Sequence, residues 1–116
     1  MKARLPQGYG KSSQGNINNM IKQAQIAQEE MKEKQAEINE REFSATAGGG
    51  AVEVTAGGDK VLHKVTLKPE IVDPDDIEML EDLIVAAVNE LLRNIDDVTN
   101  NELEEIANGF DLPGVV

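Results

Sequence analysis

From Asn16 to about Glu42 the chain runs for 27 residues without a proline or a glycine, and Lys, Gln, Glu, Ala and Met dominate it. These are strong helix formers. A helix of that length is about 40 Å long at 1.5 Å per residue. At 116 residues the chain makes one domain, and a domain this small cannot cover such a rod from one side. Ile17, Ile21, Ala24, Met31 and Ile38, with Met20 and Ala27 beside them, recur at steps of three, four and seven and so share one stripe. The stripe is narrow and carries Gln28 and Gln35, closer to a coiled-coil seam than to a deep core face. Glu30/Lys34 and Glu37/Arg41 are i,i+4 pairs with the acid first, the favourable order. The segment predicts a long helix that needs a partner surface.

Around it the period changes. Residues 1–15 hold Pro6, Gly8, Gly10, Ser12, Ser13 and Gly15 and read as a flexible basic arm. After the helix, Phe43 to Ala47 reads as a strand, and Gly48-Gly49-Gly50 as a turn. Ala51 to Ala56 alternates, with Val52, Val54 and Ala56 on one side. Gly57-Gly58-Asp59-Lys60 reads as a hairpin turn whose glycines supply positive φ. Val61 to Lys68 alternates again, setting Val61, His63, Val65 and Leu67 against Leu62, Lys64, Thr66 and Lys68. Asp73 suits an N-cap, with Pro74 at the first helical position. A second helix follows to about Asp97, with Ile77, Leu80, Leu83, Ile84, Ala87, Val88, Leu91, Leu92 and Ile95 in its apolar stripe. Thr99 to Glu102 fits a capping box that would start a further short helix to Asn108. The remainder, 109–116, is irregular. The class is α+β: a three-stranded antiparallel meander between two long helices, spanning residues 16–108.

Only 3% of the residues are aromatic, so the core is aliphatic. A chain of this size buries about two thirds of its unfolded surface, and less if one helix stands out, which points to an oligomer. The net charge of −11 is unevenly spread. Residues 1–28 carry Lys2, Arg4, Lys11 and Lys22 and no acid, while residues 69–116 carry Arg93 and fourteen acids. The chain has a basic head and an acidic second half. Nothing in the opening residues reads as an export signal, and the longest apolar run, Leu83 to Val88, is far short of the roughly 20 residues a bilayer requires. The expected location is the cytoplasm.

Chemistry is sparse. There is no cysteine, which excludes disulfides and thiolate metal sites. His63, the single histidine, has no Ser or Thr partner that spacing nominates as a nucleophile. Asp73, Asp75 and Asp76 lack the central glycine and twelfth-position glutamate of a calcium loop, Ile84 standing at that place. The glycine pair Gly57-Gly58 leads into a strand, not into the helix that follows a phosphate loop. The expectation is a protein with no catalytic residues, no metal, no cofactor and no small-molecule substrate.

The segment Asn16-x-x-x-Met20-Ile21-Lys22-Gln23-Ala24-Gln25-x-x-Gln28-x-x-Met31 is similar to the opening helix of the YbaB/EbfC family of nucleoid-associated proteins. So are Gly50-Ala51-Val52-Glu53-Val54-Thr55-Ala56-Gly57 and Val65-Thr66-Leu67. The most specific match is Pro69-Glu70-x-x-x-Pro74-x-x-Ile77-Glu78-Met79-Leu80-Glu81-Asp82-Leu83-Ile84-Val85-Ala86-Ala87, and Gly109-Phe110-Asp111-Leu112-Pro113-Gly114 echoes the family's ending. The resemblance implies an α-β-β-β-α protomer in an intertwined homodimer, with the sheets central and the long helices projecting like tweezer arms. It also implies binding to double-stranded DNA with modest sequence preference, a role in chromosome organisation or regulation, a place in the nucleoid, and no enzymatic activity.

With the charge distribution, these points place the primary phosphate contacts at Lys2, Arg4, Lys11 and Lys22, and secondary ones at Lys60, Lys64 and Lys68. Val52, Val54, Val65 and Leu67, with the stripe of the second helix, are the expected shared core of the dimer. The competing expectation is a protein-interaction module or accessory factor that grips a partner helix with its long arms.

Overall fold

The computed structural model describes the backbone of residues 7–109 and the side chains of residues 15–109. Lys2, Arg4 and the tail from Phe110 onward lie outside the described residues, as does the side chain of Lys11. The element order is α1 (Gln7–Glu40), β1 (Glu42–Ala47), β2 (Val52–Gly57), β3 (Leu62–Leu67), a 3₁₀ turn at Pro69–Ile71, and α2 (Ile77–Asn108). This is the α-β-β-β-α order expected from the changes of period.

The long helix is longer than its Pro- and Gly-free run. It begins at Gln7 and passes through Gly8, Gly10, Ser12, Ser13 and Gly15, where the sequence suggested an irregular arm. Each glycine costs about 1 kcal/mol in a helix relative to alanine. An existing helix still gains a hydrogen bond for each residue added, so scattered single glycines do not stop it.

Helix α2 also departs from expectation at both ends. Its N-cap is Asp76, whose Oδ1 accepts from the Met79 amide at 3.2 Å. Asp73 closes the preceding turn instead: its side chain accepts from the Asp75 amide at 2.9 Å and its carbonyl from the Asp76 amide at 2.9 Å. Pro74 therefore sits in that turn and not at the first helical position. At the other end the helix runs unbroken to Asn108, so Thr99 and Glu102 form no capping box. A capping signature inside a continuous amphipathic run does not break it, because the packed stripe carries most of a helix's stability.

The strands form an antiparallel meander in the order β1-β2-β3. Register pairs Val52 with Ala47 and Leu67, and Val54 with Ala45 and Val65. Those residues share one face of the sheet, which α2 covers over β1 and β2. Ala45, Val52, Val54 and Ala56 pack there against Ala87, Leu91 and Ile95, with Phe43, Leu67, Leu83, Ile84 and Val88 at the margin. The register slips between Thr55 and Ala56, which pairs Thr55 with Lys64 but Ala56 with Leu62. This bulge corrects the alternation read from the sequence. Leu62, not His63, joins the apolar face, because one extra residue moves all that follow it to the opposite side.

The hairpin turns divide their glycine work unexpectedly. Gly48, Gly49 and Gly50 all adopt positive φ, at 63°, 69° and 91°, as the β1–β2 turn requires. In the β2–β3 turn the positive φ belongs to Lys60, at 66°, and not to Gly57 or Gly58. Those two are small for another reason: a Cβ on Gly58 would lie 2.6 Å from the Ile38 carbonyl carbon. Gly58 forms the notch into which the end of α1 settles.

The molecule is elongated, with extents of 86 × 27 × 17 Å. Its radius of gyration is 24.3 Å, against roughly 13 Å for a compact domain of about 100 residues.

Candidate nucleic-acid interface

Two antiparallel helices set the frame. Near the end of α2, Ile106 shares a shallow groove with Glu30, Glu33, Lys34 and Glu37 of α1, and α2 stops two residues later. The part of α1 before about Ala27 therefore runs on past α2. Ile17, Met20, Ile21 and Ile26 are exposed there, and Lys22 lies exposed among them.

Among the described residues, the hairpin lysines proposed from sequence are not gathered with Lys22. Lys64 and Lys68 are exposed on and beside β3, and the Lys68 amide donates to the Ala51 carbonyl at 2.9 Å. Lys60 stands at the opposite end of β3, about 20 Å away for six residues at 3.3 Å each. Its ammonium pairs with Asp96 of α2 at 2.6 Å. His63 is half exposed, with Nδ1 3.9 Å from a Glu42 carboxylate oxygen. The basic side chains thus occupy an arm and a hairpin rather than one patch.

The four residues proposed as a shared core divide into two pairs. Val52 and Val54 are fully buried within the chain itself under α2, whereas Val65 is 45% exposed and Leu67 is half-buried. Helix α2 packs mainly on β1 and β2. It leaves Val61, Leu62 and Val65 open, together with Val72, Ile77, Met79 and Val85. Scattered apolar residues are ordinary on a surface; here several are exposed on and beside the edge strand β3 and along the first turns of α2.

A further cluster was not legible as such. Arg41 Nη1 donates to Glu102 Oε2 at 2.6 Å, and Nη2 donates to Glu102 Oε1 at 3.1 Å and to Glu37 Oε1 at 2.9 Å. Lys34 Nζ lies 3.3 Å from Glu37 and 3.6 Å from Glu102. The hydrogen bond from Arg41 holds both carboxyls below their ordinary range, with Lys34 assisting, and the two glutamates raise the Arg41 guanidinium in return. Only the Glu37/Arg41 half had a signal in the sequence, its i,i+4 spacing. Glu102 lies 61 residues from Arg41, beyond any local rule.

Among the described residues no group of three or more His, Asp or Glu converges as a metal site, and no helix is long and apolar enough to cross a membrane. The YbaB/EbfC DNA-binding family model matches residues 14–110. The chain belongs to the YbaB/EbfC DNA-binding family. A nucleoid-associated protein of Acetivibrio thermocellus is 52% identical over 109 residues, covering 93% of each chain. Another, from Clostridium acetobutylicum, is 46% identical over 108 residues, covering 93% of this chain and 96% of the relative. The crystal structure of an uncharacterized Helicobacter pylori protein has the same fold, with a TM-score of 0.62 at 15% identity over 72% of this chain and 88% of that one. The YbaB/EbfC family is a class of DNA-binding proteins and not of enzymes. Its model begins at residue 14, so the match takes in the projecting part of α1 from there on, Lys22 included.

Proposed function

We propose that this protein binds double-stranded DNA as a homodimer, through backbone phosphates and with little sequence preference, and organises or regulates the chromosome from the cytoplasmic nucleoid without catalysing a reaction. The observation that carries this reading is the acid-free segment of residues 1–28, whose described part includes the stretch of α1 that runs past α2. In an otherwise acidic chain it is the surface a polyanion would choose, since phosphate neutralisation dominates such affinity. Net charge does not forbid it, because potentials are local within a Debye length of about 8 Å at physiological salt. Lys2, Arg4, Lys11 and Lys22 are the primary contacts, and Lys60, Lys64 and Lys68 of the hairpin the secondary ones.

The open face of β3 and the start of α2 support the dimer. A second copy would cover Leu62, Val65, Ile77 and Val85, joining the margin at Leu67 to the buried Val52 and Val54. Pairing also doubles the basic arm about a twofold axis. A mobility shift with random-sequence duplex at about 50 mM salt, with light scattering of the same sample, tests both parts. A shift by a two-chain species supports the reading, and a concentration-independent monomer with no shift overturns it.

The exposed Ile17, Met20 and Ile21 favour one second reading, in which the arm grips a partner helix. Partners retained after nuclease treatment, with no DNA shift, would establish it instead.

A further inference from the structure

Helix α1 has few attachments. A single residue, Arg41, separates it from β1. Among its described side chains only Ile38 is fully buried, at the Gly58 notch. Beyond that notch α1 packs along the last turns of α2, where Ile106 meets Glu30, Glu33 and Lys34, and the charged tie between the two helices is the network of Arg41, Glu102, Lys34 and Glu37. We propose that this network is the pivot that fixes the direction of α1, so that Arg41 and Glu102 are positioning residues for the nucleic-acid contacts of the arm. The inference rests on the DNA-binding reading above.

A lone exposed ion pair would not do this, because solvent screening and the ordering of two long side chains consume most of its gain. Arg41 is different. It holds Glu102 with both terminal guanidinium nitrogens, Nη1 and Nη2, and shares Nη2 with Glu37, and a planar bidentate fork fixes an angle as well as a distance. Lys34 closes the set by lying between the two carboxylates. The side chains of Arg41, Glu102 and Lys34 are between 25% and 35% exposed, shielded more than ordinary surface charges. The network joins residues 34–41 to α2 at Glu102, in the last turns of α2 before it ends at Asn108; the arm without α2 beside it begins farther along, before about Ala27.

Leverage makes the angle matter. Lys22 lies 16 residues from Ile38, about 24 Å along the helix at 1.5 Å per residue. A swing of about 10° at the pivot carries it roughly 4 Å, more than the 3.4 Å rise between successive phosphates of a strand. A loosened pivot would therefore move an arm lysine off its phosphate without any change to the lysine itself.

The absence of cysteine lets spin labels be placed cleanly at Gln25 and Glu104, in full-length protein diluted into unlabelled copies. In the native protein the distance distribution between them should be narrow. Glu102→Gln should broaden it, and the exchange R41E/E102R should narrow it again; a Glu102→Gln distribution identical to the native one overturns the pivot. DNA affinity supplies the second readout. Removing an acid would strengthen binding if charge alone mattered, whereas a loosened arm should weaken it several-fold and make the salt slope shallower, because fewer arm phosphates stay neutralised. Stronger binding by Glu102→Gln overturns the positioning role. Failure of the native protein to shift duplex DNA would instead sink the DNA-binding reading, and the label distances would still judge the pivot.

Discussion

Gly58 lies against the carbonyl of Ile38, so close that a methyl built on it would come within 2.6 Å of the carbonyl carbon and 2.7 Å of Cγ2. The Gly58 amide also donates to the Arg41 carbonyl at 3.1 Å, so neither backbone can retreat without losing that bond. Gly58→Ala should cost about 1–3 kcal/mol, the range for overpacking, and lower the melting temperature. Gly49 provides the comparison. Its would-be Cβ meets nothing within 4 Å, and only its φ of 69° resists a side chain, a cost of about 1–2 kcal/mol. Gly49→Asn should then recover part of what Gly49→Ala loses, because Asn tolerates that region, while Gly58→Asn should be worse than Gly58→Ala. Thermal melts of the four variants check this.

The two valines paired across β2 and β3 should respond differently to charge. Val54 is fully buried under α2, and Val65 opposite it is 45% exposed. Val54→Asp places an unpaired charge in the chain's own core, which costs several kcal/mol, and should unfold the protein by circular dichroism. Val65→Asp should leave the secondary structure intact and shift light scattering toward the single chain. A Val65→Asp variant that scatters as a stable dimer would remove β3 from the proposed interface.

This contrast also marks what the sequence made legible. Val52, Val54 and Ala56 alternate in β2, and Ala87, Leu91 and Ile95 recur at helical spacing. Periodicity reports which face is apolar, and all six are buried. The open β3 face was not legible, because alternation cannot say how far a covering helix reaches. The bulge at His63, the capping by Asp76 and the Gly58 notch depend on one residue of register or one close approach. Sequence statistics average over such details, so Asp73 and the Gly57 pair drew the more ordinary roles. The basic arm was visible as a charge run, yet its scattered glycines hid that the helix continues back to Gln7. The Arg41–Glu102 fork joins two separate elements, and nothing local announces it.

Acid should loosen that fork. Glu102 and Glu37 are held below the ordinary glutamate range chiefly by the hydrogen bond from Arg41. A carboxyl whose pKa is lower in the folded than in the unfolded chain stabilises the fold above its unfolded value, about 4.3. That contribution disappears as pH falls through the folded value. The native protein should accordingly melt higher than Glu102→Gln at neutral pH, with the gap closing below about pH 4. A gap that persists in acid would mean that the substitution acts by some route other than the ion pair.

Lys60 gives the sharpest test of the hairpin as a secondary DNA-binding element. Its ammonium is engaged by Asp96 at 2.6 Å, while both side chains remain about half exposed. A phosphate approaching Lys60 must therefore compete with a carboxylate already in place. Asp96→Asn removes the competitor and one negative charge, an effect of about 1 kcal/mol for charges some 4 Å apart in water. Duplex affinity should rise several-fold, and the slope of log K against log salt should steepen by about 0.9 for each additional phosphate neutralised. Adding Lys60→Gln to Asp96→Asn should abolish the steepening. Lys22→Gln alone should make the slope shallower by a similar amount, because that lysine is exposed on the arm and its phosphate would go unneutralised. An Asp96→Asn variant with the affinity and slope of the native protein would take Lys60 out of the interface and leave binding to the arm.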